Sequence, residues 1–309
     1  MSLNSSSALT PIFLVGATAT GKSDLGLALA RRTDGAILAM DAMQVYRGAN
    51  IGTGKPSAAE RAEIPHGGLD LSDFGLSFDV AQYRKHAAEF LREQAAANRR
   101  VIVVGGTGLY FRALTRGLCD APQGPDELRA ELAKLTPEQL RERLKRADPA
   151  MLERLDASNP RRLARAIEVV ETTGRSLREW QEKTPEPLVP HFTAFWIQRE
   201  KEELEKRIEA RVERMFASGW VEEVMELRRR HSLEAVRRFS GIGYREIGES
   251  LIMRAEGDYR VPPWLKRDIF VATRQYAKRQ LTWFNREPNL RRVMLHGAEL
   301  PSLDAPYLS

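Results

Sequence analysis

Gly16, Ala17, Thr18, Ala19, Thr20, Gly21, Lys22 and Ser23 follow one another in the pattern G-x-x-x-x-G-K-[ST], between the apolar run Pro11 to Val15 and an amphipathic stretch from Asp24 to Arg32. Strand, glycine loop and helix in that order make a phosphate cradle. The glycines let backbone N–H groups wrap a phosphate, Lys22 adds a point charge, and the Ser23 hydroxyl can hold a magnesium ion. The pattern leaves the owner of the phosphate open, because a nucleoside triphosphate and any diphosphate of similar shape satisfy the same donors.

Ligands of an open α/β sheet sit beyond the carboxyl ends of its strands, so the residues after each apolar run are the next to weigh. Asp41, Ala42, Met43 and Gln44 follow Ala36 to Met40; Gly105, Gly106, Thr107 and Gly108 follow Val101 to Val104. Asp41 is either a general base within reach of the loop's ligand or a cap on its own turn. Thr107 offers a hydroxyl among glycines that admit a ligand closely, or the four residues form a tight turn. Common ATPases and GTPases place a magnesium-associated Asp where Gly105 to Gly108 stand, which weighs against them; small-molecule kinases often lack it too, so a P-loop kinase stays as the alternative. Arg199, Arg207 and Arg211, eight and four residues apart, would project from one side of a helix extended back to Arg199, either facing a diphosphate or as a solvated face. His66 is a loop contact or a surface histidine.

These residues need a scaffold. Apolar runs at Ile12 to Val15, Ala36 to Met40, Val101 to Val104 and Phe192 to Ile197, with helical patterns between the first three, predict an α/β fold: a P-loop NTPase-like, doubly wound parallel sheet. The Gly- and Pro-rich loop 42–78 is too long for a simple connector and reads as functional. Residues 119–189 read as a small all-helical insertion domain, with helix starts at Thr136-Pro137, Asp148-Pro149 and Asn159-Pro160 and a stop at Gly174; the Pro-rich break from Thr184 to Pro190 marks the return to the sheet. The catalytic core is then 11–118 with 190–309, behind a disordered tail at 1–10. A long helix is expected from Lys201 to Arg230, with Gly219 as an interruption, within a helical C-terminal part.

Composition agrees with a cytoplasmic enzyme. The 309 residues are 42% hydrophobic, enough for a real core, and no apolar run approaches the roughly 20 residues that span a bilayer. Cys119 is the only cysteine, so disulfides and multi-Cys zinc sites within the chain are excluded. The net charge of +6 is concentrated between Arg260 and Arg292, with Tyr259, Trp264, Tyr276, Trp283 and Phe284 interleaved. That mixture suits a nucleic-acid surface, or equally a helix with core aromatics and solvated cations.

Taken together, Gly16 to Ser23, Asp41 to Gly48, Ile51 to Pro56, Val104 to Tyr110, Asn159 to Val169, Gly241 to Glu246 and Thr273 to Phe284 resemble the tRNA dimethylallyltransferases, over about Pro11 to Glu287. The resemblance implies that the loop holds the diphosphate of dimethylallyl diphosphate with Mg2+, and that the prenyl group passes to the exocyclic N6 of the adenosine just 3′ of the anticodon. It implies Asp41 as the base for the adenine amino group, Thr107 as a contact of the flipped-out base, and Lys22, Ser23, Arg199, Arg207 and Arg211 at the departing diphosphate. It further implies that Arg161, Arg162, Leu163, Ala164 and Arg165 of the insertion grip the anticodon stem. Asp41 to Gln44 and Gly241, Ile242, Gly243, Tyr244 and Arg245 would line the nucleotide side. A monomer suffices for this chemistry. Two departures stand out: Ala17 replaces a frequent proline, and Gly67-Gly68 follow His66 where relatives often carry a second histidine.

Overall fold

The computed structural model describes residues 10–183, 185–250 and 261–297; residues 1–9 of the expected tail at 1–10, Thr184 of the Pro-rich break, and Tyr259 and Arg260 lie outside them. Along the chain run β1 (Ile12–Gly16), α1 (Lys22–Thr33), β2 (Ala36–Met40), α2 (Ala58–Glu63), β3 (His66–Gly67), α3 (Val80–Ala96), β4 (Val101–Gly105) and α4 (Gly108–Thr115). Then come α5 (Asp126–Leu132), α6 (Pro137–Ala147), α7 (Pro149–Arg154), α8 (Pro160–Thr173), α9 (Leu177–Glu182) and β5 (Thr193–Gln198). The chain continues with α10 (Lys201–Ala217), α11 (Trp220–His231), α12 (Leu233–Arg238), α13 (Tyr244–Ser250), α14 (Pro263–Phe284) and β6 (Arg291–Met294).

The strands form one parallel sheet in the order β3-β2-β4-β1-β5-β6, so β1 has β4 on one side and β5 on the other. β1, β2 and β4 are buried along their whole length, which is why they read as continuous apolar runs. Alternate residues serve opposite faces. Phe13, Leu38 and Val103 pack with α3 and α4, whereas Leu14, Ile37 and Val104 pack with Leu25 and Leu29 of α1. Helices on both faces make the sheet doubly wound, as the sequence pattern predicts.

Three local differences from expectation have plain causes. The helix from Lys201 to Arg230 is two, because Gly219 takes a left-handed φ of 92° between α10 and α11. The loop 42–78 contains α2, started by a reciprocal cap between Ser57 and Glu60, and the short β3. β6 carries no apolar run to announce it, since Arg291, Arg292 and Met294 are exposed on the sheet edge.

The chain divides into two compact units, one formed by 1–115 with 188–309 and the other by 116–187. The second has its own core of Leu132, Leu140, Leu144, Leu163, Ile167 and Val169. Its helices begin and stop where the capping residues direct. Thr136 and Gln139 cap α6 reciprocally, Asp148 caps α7, Asn159 accepts the Arg161 and Arg162 amides, and Gly174 closes α8 at a left-handed φ of 67°.

Candidate active site

The loop from Gly16 to Gly21 leaves β1 and enters α1 at Lys22. Gly21 is the helix N-cap with a φ of 94°, and a Cβ there would stand 3.3 Å from the Arg199 guanidinium and 3.6 Å from that of Arg207. Glycine therefore supplies both the left-handed turn and the space for two cations. Ala17 presents its carbonyl to the Lys22 ammonium at 2.9 Å and to the Thr20 hydroxyl at 2.9 Å, so the position works through backbone and alanine suffices. The Thr18 amide donates to Oε1 of Gln280 at 2.9 Å.

Arg199 and Arg207 meet this loop, and the three arginines do not form one helical row. Arg199 lies before α10, at the end of β5, and its side chain is 1% exposed. It donates to the Thr20 carbonyl at 2.8 Å, to the Gly297 carbonyl at 2.7 Å and to Glu203. Arg199 thus braces the loop from just before α10, which corrects the expectation that it shares one helix with Arg207 and Arg211. Arg207 donates from Nε to the Ala19 carbonyl at 3.0 Å. Arg211 reaches the site from the next turn of α10, pressed against Gly54 so closely that a Cβ on Gly54 would collide with its guanidinium.

The cations feel one another and a carboxylate. Burial first, then the charge of Arg211, pushes the Lys22 ammonium down to about 8, while Asp41 opposes both. Burial also pushes the Arg211 guanidinium below its ordinary value, again against the pull of Asp41. The site is poised to accept negative charge.

Register explains how Asp41 comes to be there. Gly105 pairs with Val15 on one side and Met40 on the other, so the phosphate loop, Gly106-Thr107 and Asp41 leave the sheet at one level. Adjacent strands are about 4.8 Å apart, which puts Asp41 about 10 Å across from the loop. One oxygen of Asp41 accepts the Met43 amide at 2.8 Å, so the residue does cap its turn; Thr107 Oγ1 accepts the Ala42 amide at 3.1 Å. Gln44 turns back, donating to the carbonyls of Thr53 and Gly54 at 3.2 Å each. Burial, then the Asp41 charge, raises the phenol of Tyr276; burial, then Tyr46 and Asp41, raises that of Tyr110. Both stay protonated beside the carboxylate.

His66 lies on β3 with its ring against the Ile64 carbonyl at 2.7 Å, and burial keeps it below the ordinary imidazole range. It is a half-buried edge-strand residue instead of a loop contact. The Gly68 amide donates to His86 of α3, so an imidazole meets this turn from another element.

Among the residues expected to face RNA, the structure separates surface from core. Arg161 and Arg162 are exposed at the start of α8, and Ala164 is half-buried. Leu163 is 0% exposed and belongs to the core of its unit, so it is removed from the RNA-facing set. Arg165 holds the Pro122 carbonyl at 3.1 Å, the Ala121 carbonyl at 2.7 Å and Glu168 at 2.9 Å, which makes it a brace for the chain entering α5. Of Gly241 to Arg245, Arg245 is exposed and Ile242 partly so, whereas Gly241, Gly243 and Tyr244 are buried. They support that segment and do not line a surface. In the basic, aromatic C-terminal stretch, Phe284 is core and Trp283 lies under Arg112 at 4.5 Å, while Trp264, Arg267, Arg274, Lys278 and Arg279 are exposed.

Gln280 and Glu223 escaped the sequence reading, and Tyr276 entered it only as one of the aromatics of the basic stretch. For Gln280 the signal was present: Ala277, Gln280 and Phe284 occupy the buried face of α14, and a polar residue on such a stripe asks for a partner. Its Nε2 donates to the Gly106 carbonyl at 3.0 Å, so one amide joins the phosphate loop to the turn bearing Thr107.

Ser23 is the second residue of α1 and is exposed, and no group of three or more His, Cys, Asp or Glu that would cage a metal occurs among the described residues. This donor set fits a hard divalent ion carried on phosphate oxygens, with the Ser23 hydroxyl as protein ligand. Among the described residues, no helix is long and apolar enough to cross a membrane.

Residues 44–287 match the IPP transferase family, and residues 11–69 match isopentenyl transferase. The chain belongs to the IPP transferase family. The tRNA dimethylallyltransferase of Methylacidiphilum infernorum is 44% identical over 93% of this chain and 86% of its own length. The crystal structure of the full-length tRNA isopentenylpyrophosphate transferase of Bacillus halodurans superposes with a TM-score of 0.62 at 30% identity, covering 93% of this chain and 90% of the other. A eukaryotic dimethylallyltransferase captured acting on tRNA shares the fold, with a TM-score of 0.76 at 24% identity over 92% of this chain and 73% of that one. Membership in the IPP transferases makes the chain a transferase and sets aside the kinase alternative.

Proposed function

We propose that the chain transfers a dimethylallyl group from dimethylallyl diphosphate to the exocyclic N6 of the adenosine 3′-adjacent to the tRNA anticodon, as a monomer in the cytoplasm. The bond from N6 to the prenyl carbon forms as the bond from that carbon to the diphosphate oxygen breaks. Diphosphate departs against Lys22, Arg207, Arg211 and the amides of the loop, where preorganised positive charge favours the developing anion. Asp41 takes the proton released from N6, and Thr107 holds the base that has been drawn out of its stack. Mg2+ on the diphosphate, with Ser23, would supply further charge neutralisation. Arg161 and Arg162 grip the anticodon stem.

The observation that carries the reading is a phosphate loop with Lys22 and Arg211 facing a carboxylate at the end of β2, with glycines and Thr107 at the end of β4 between them. That arrangement pairs a leaving-group site with a proton acceptor. The test is incubation with Mg2+, labelled dimethylallyl diphosphate and unmodified tRNA carrying adenosine at the expected position, beside an adenosine-to-guanosine tRNA. Label is expected in the adenosine tRNA alone; equal labelling of both, or of neither, overturns the assignment.

A further inference from the structure

Glu223 on α11 takes no part in the chemistry above, yet its carboxylate gathers four hydrogen bonds. Oε2 accepts the amides of Asn50 at 2.8 Å and Ile51 at 2.7 Å; Oε1 accepts the Gly52 amide at 3.3 Å and the Tyr244 hydroxyl at 2.6 Å. Three successive amides converging on one anion form a backbone nest, here filled by the protein's own side chain. Burial, then the Glu223 charge, raises the Tyr244 phenol far above its ordinary value, so Tyr244 remains a donor.

The loop held this way touches both halves of the site. The carbonyls of Thr53 and Gly54 hold the amide of Gln44, three residues beyond Asp41. Gly54, at a left-handed φ of 63°, lies flush against the guanidinium of Arg211. A shift of this loop therefore moves one side chain next to the acceptor carboxylate and another next to the phosphate lysine. The loop is also tied elsewhere: Lys55 binds Asp70 at 2.6 Å and the Tyr46 carbonyl, and the Thr53 hydroxyl donates to the Ala49 carbonyl at 2.7 Å. Its fold does not rest on Glu223 alone, so what Glu223 adds is placement.

We propose that Glu223 is a positioning residue for the transfer reaction, setting Gln44 and Arg211 through the backbone of the Asn50–Lys55 loop. The proposal rests on the prenyltransferase reading of the same site. Glu223→Gln keeps size but turns an amide NH2 toward two of the four donors, and Tyr244→Phe removes one donor only. Both are compared with wild type in the full-length protein by steady-state kinetics for each substrate, with thermal unfolding alongside. A displacement of about 1 Å is enough for a loss of up to about 100-fold in rate, so kcat should fall by at least about tenfold in Glu223→Gln and less in Tyr244→Phe. The KM for tRNA should stay unchanged. The same Glu223→Gln change in a Gln44→Ala, Arg211→Lys background should cost far less than in wild type, because the groups it positions are gone. An unchanged kcat per folded molecule, or full additivity in that background, would overturn the proposal. Absence of transfer by the wild-type protein would instead overturn the prenyltransferase reading; a wild type that labels tRNA beside a kinetically silent Glu223→Gln would sink the positioning role alone.

Discussion

One oxygen of Asp41 already caps its own turn through the Met43 amide, so removing the side chain and removing its basicity are separable changes. Asp41→Asn keeps an oxygen for that amide but cannot accept the adenine proton. Losses typical of general-base removal are about 100- to 10,000-fold, and kcat is expected to fall in that range with donor affinity retained. Near-normal turnover in Asp41→Asn would leave the residue as a turn cap and nothing more. Lys22 makes a pH prediction of definite sign. With its ammonium lowered to about 8, it is charged below that pH before the donor arrives, whereas above it the incoming diphosphate must draw a proton first. The KM for dimethylallyl diphosphate should therefore be flat below about pH 8 and rise above it. The charged groups facing Lys22 are Arg211, which lowers its ammonium, and Asp41, which raises it. Lys22→Arg, which cannot deprotonate there, should lose the inflection; a KM profile identical to wild type would place the titration on another group.

At the scale of elements, α14 joins the turns after β1 and β4 through one side chain. The amide of Gln280 accepts from Thr18 in the phosphate loop and donates to Gly106 in the turn bearing Thr107, and the residue is buried. Gln280→Glu preserves shape and the acceptor but sets an oxygen against the Gly106 carbonyl. Breaking one partner of a buried hydrogen bond costs about 1–3 kcal/mol, and the loss should appear both in thermal stability and in kcat. Gln280→Leu should be the milder change in stability, since it introduces no buried charge and keeps the volume; a more stable and equally active Gln280→Glu would contradict the linkage. This residue also shows where sequence legibility ends. β1, β2, β4 and β5 could be read because burial on both faces left continuous apolar runs, and the cradle because its backbone conformation demands fixed residue types. The caps of α6, α7 and α8 were legible for the same local reason. The helical row of Arg199, Arg207 and Arg211 was misread because their spacing is helical while Arg199 lies between the end of β5 and the start of α10. Gln280 and Glu223 bond to residues far along the chain, and such pairings have no period or motif of their own.

For the molecule as a whole, the net charge of +6 predisposes to polyanions without saying where one is held. The unit 116–187 answers part of that by dividing its arginines into two kinds. Arg165 and Arg143 are committed to internal carbonyls and carboxylates, whereas Arg161 and Arg162 project from a helix start whose backbone amides Asn159 has already capped. The nearest acid to Arg162 is Asp156 at 3.9 Å on an exposed surface, too weak a pairing to compete with a phosphate. The double variant Arg161→Ala, Arg162→Ala should therefore weaken tRNA binding while leaving the fold of its unit unchanged. Each lost phosphate contact removes about 0.7 to 0.9 from the slope of log affinity against log salt, so the slope should flatten by about 1 to 2. Arg165→Ala should behave oppositely, lowering thermal stability with little change in slope, because it frees two carbonyls and Glu168 instead of a phosphate. If the slopes of the two variants exchanged places, the brace Arg165 would be the RNA contact and the exposed pair would be bystanders. An unchanged slope in both would mean that tRNA phosphates are held by the other unit, where Trp264, Arg267, Arg274, Lys278 and Arg279 of α14 are among the exposed basic and aromatic residues.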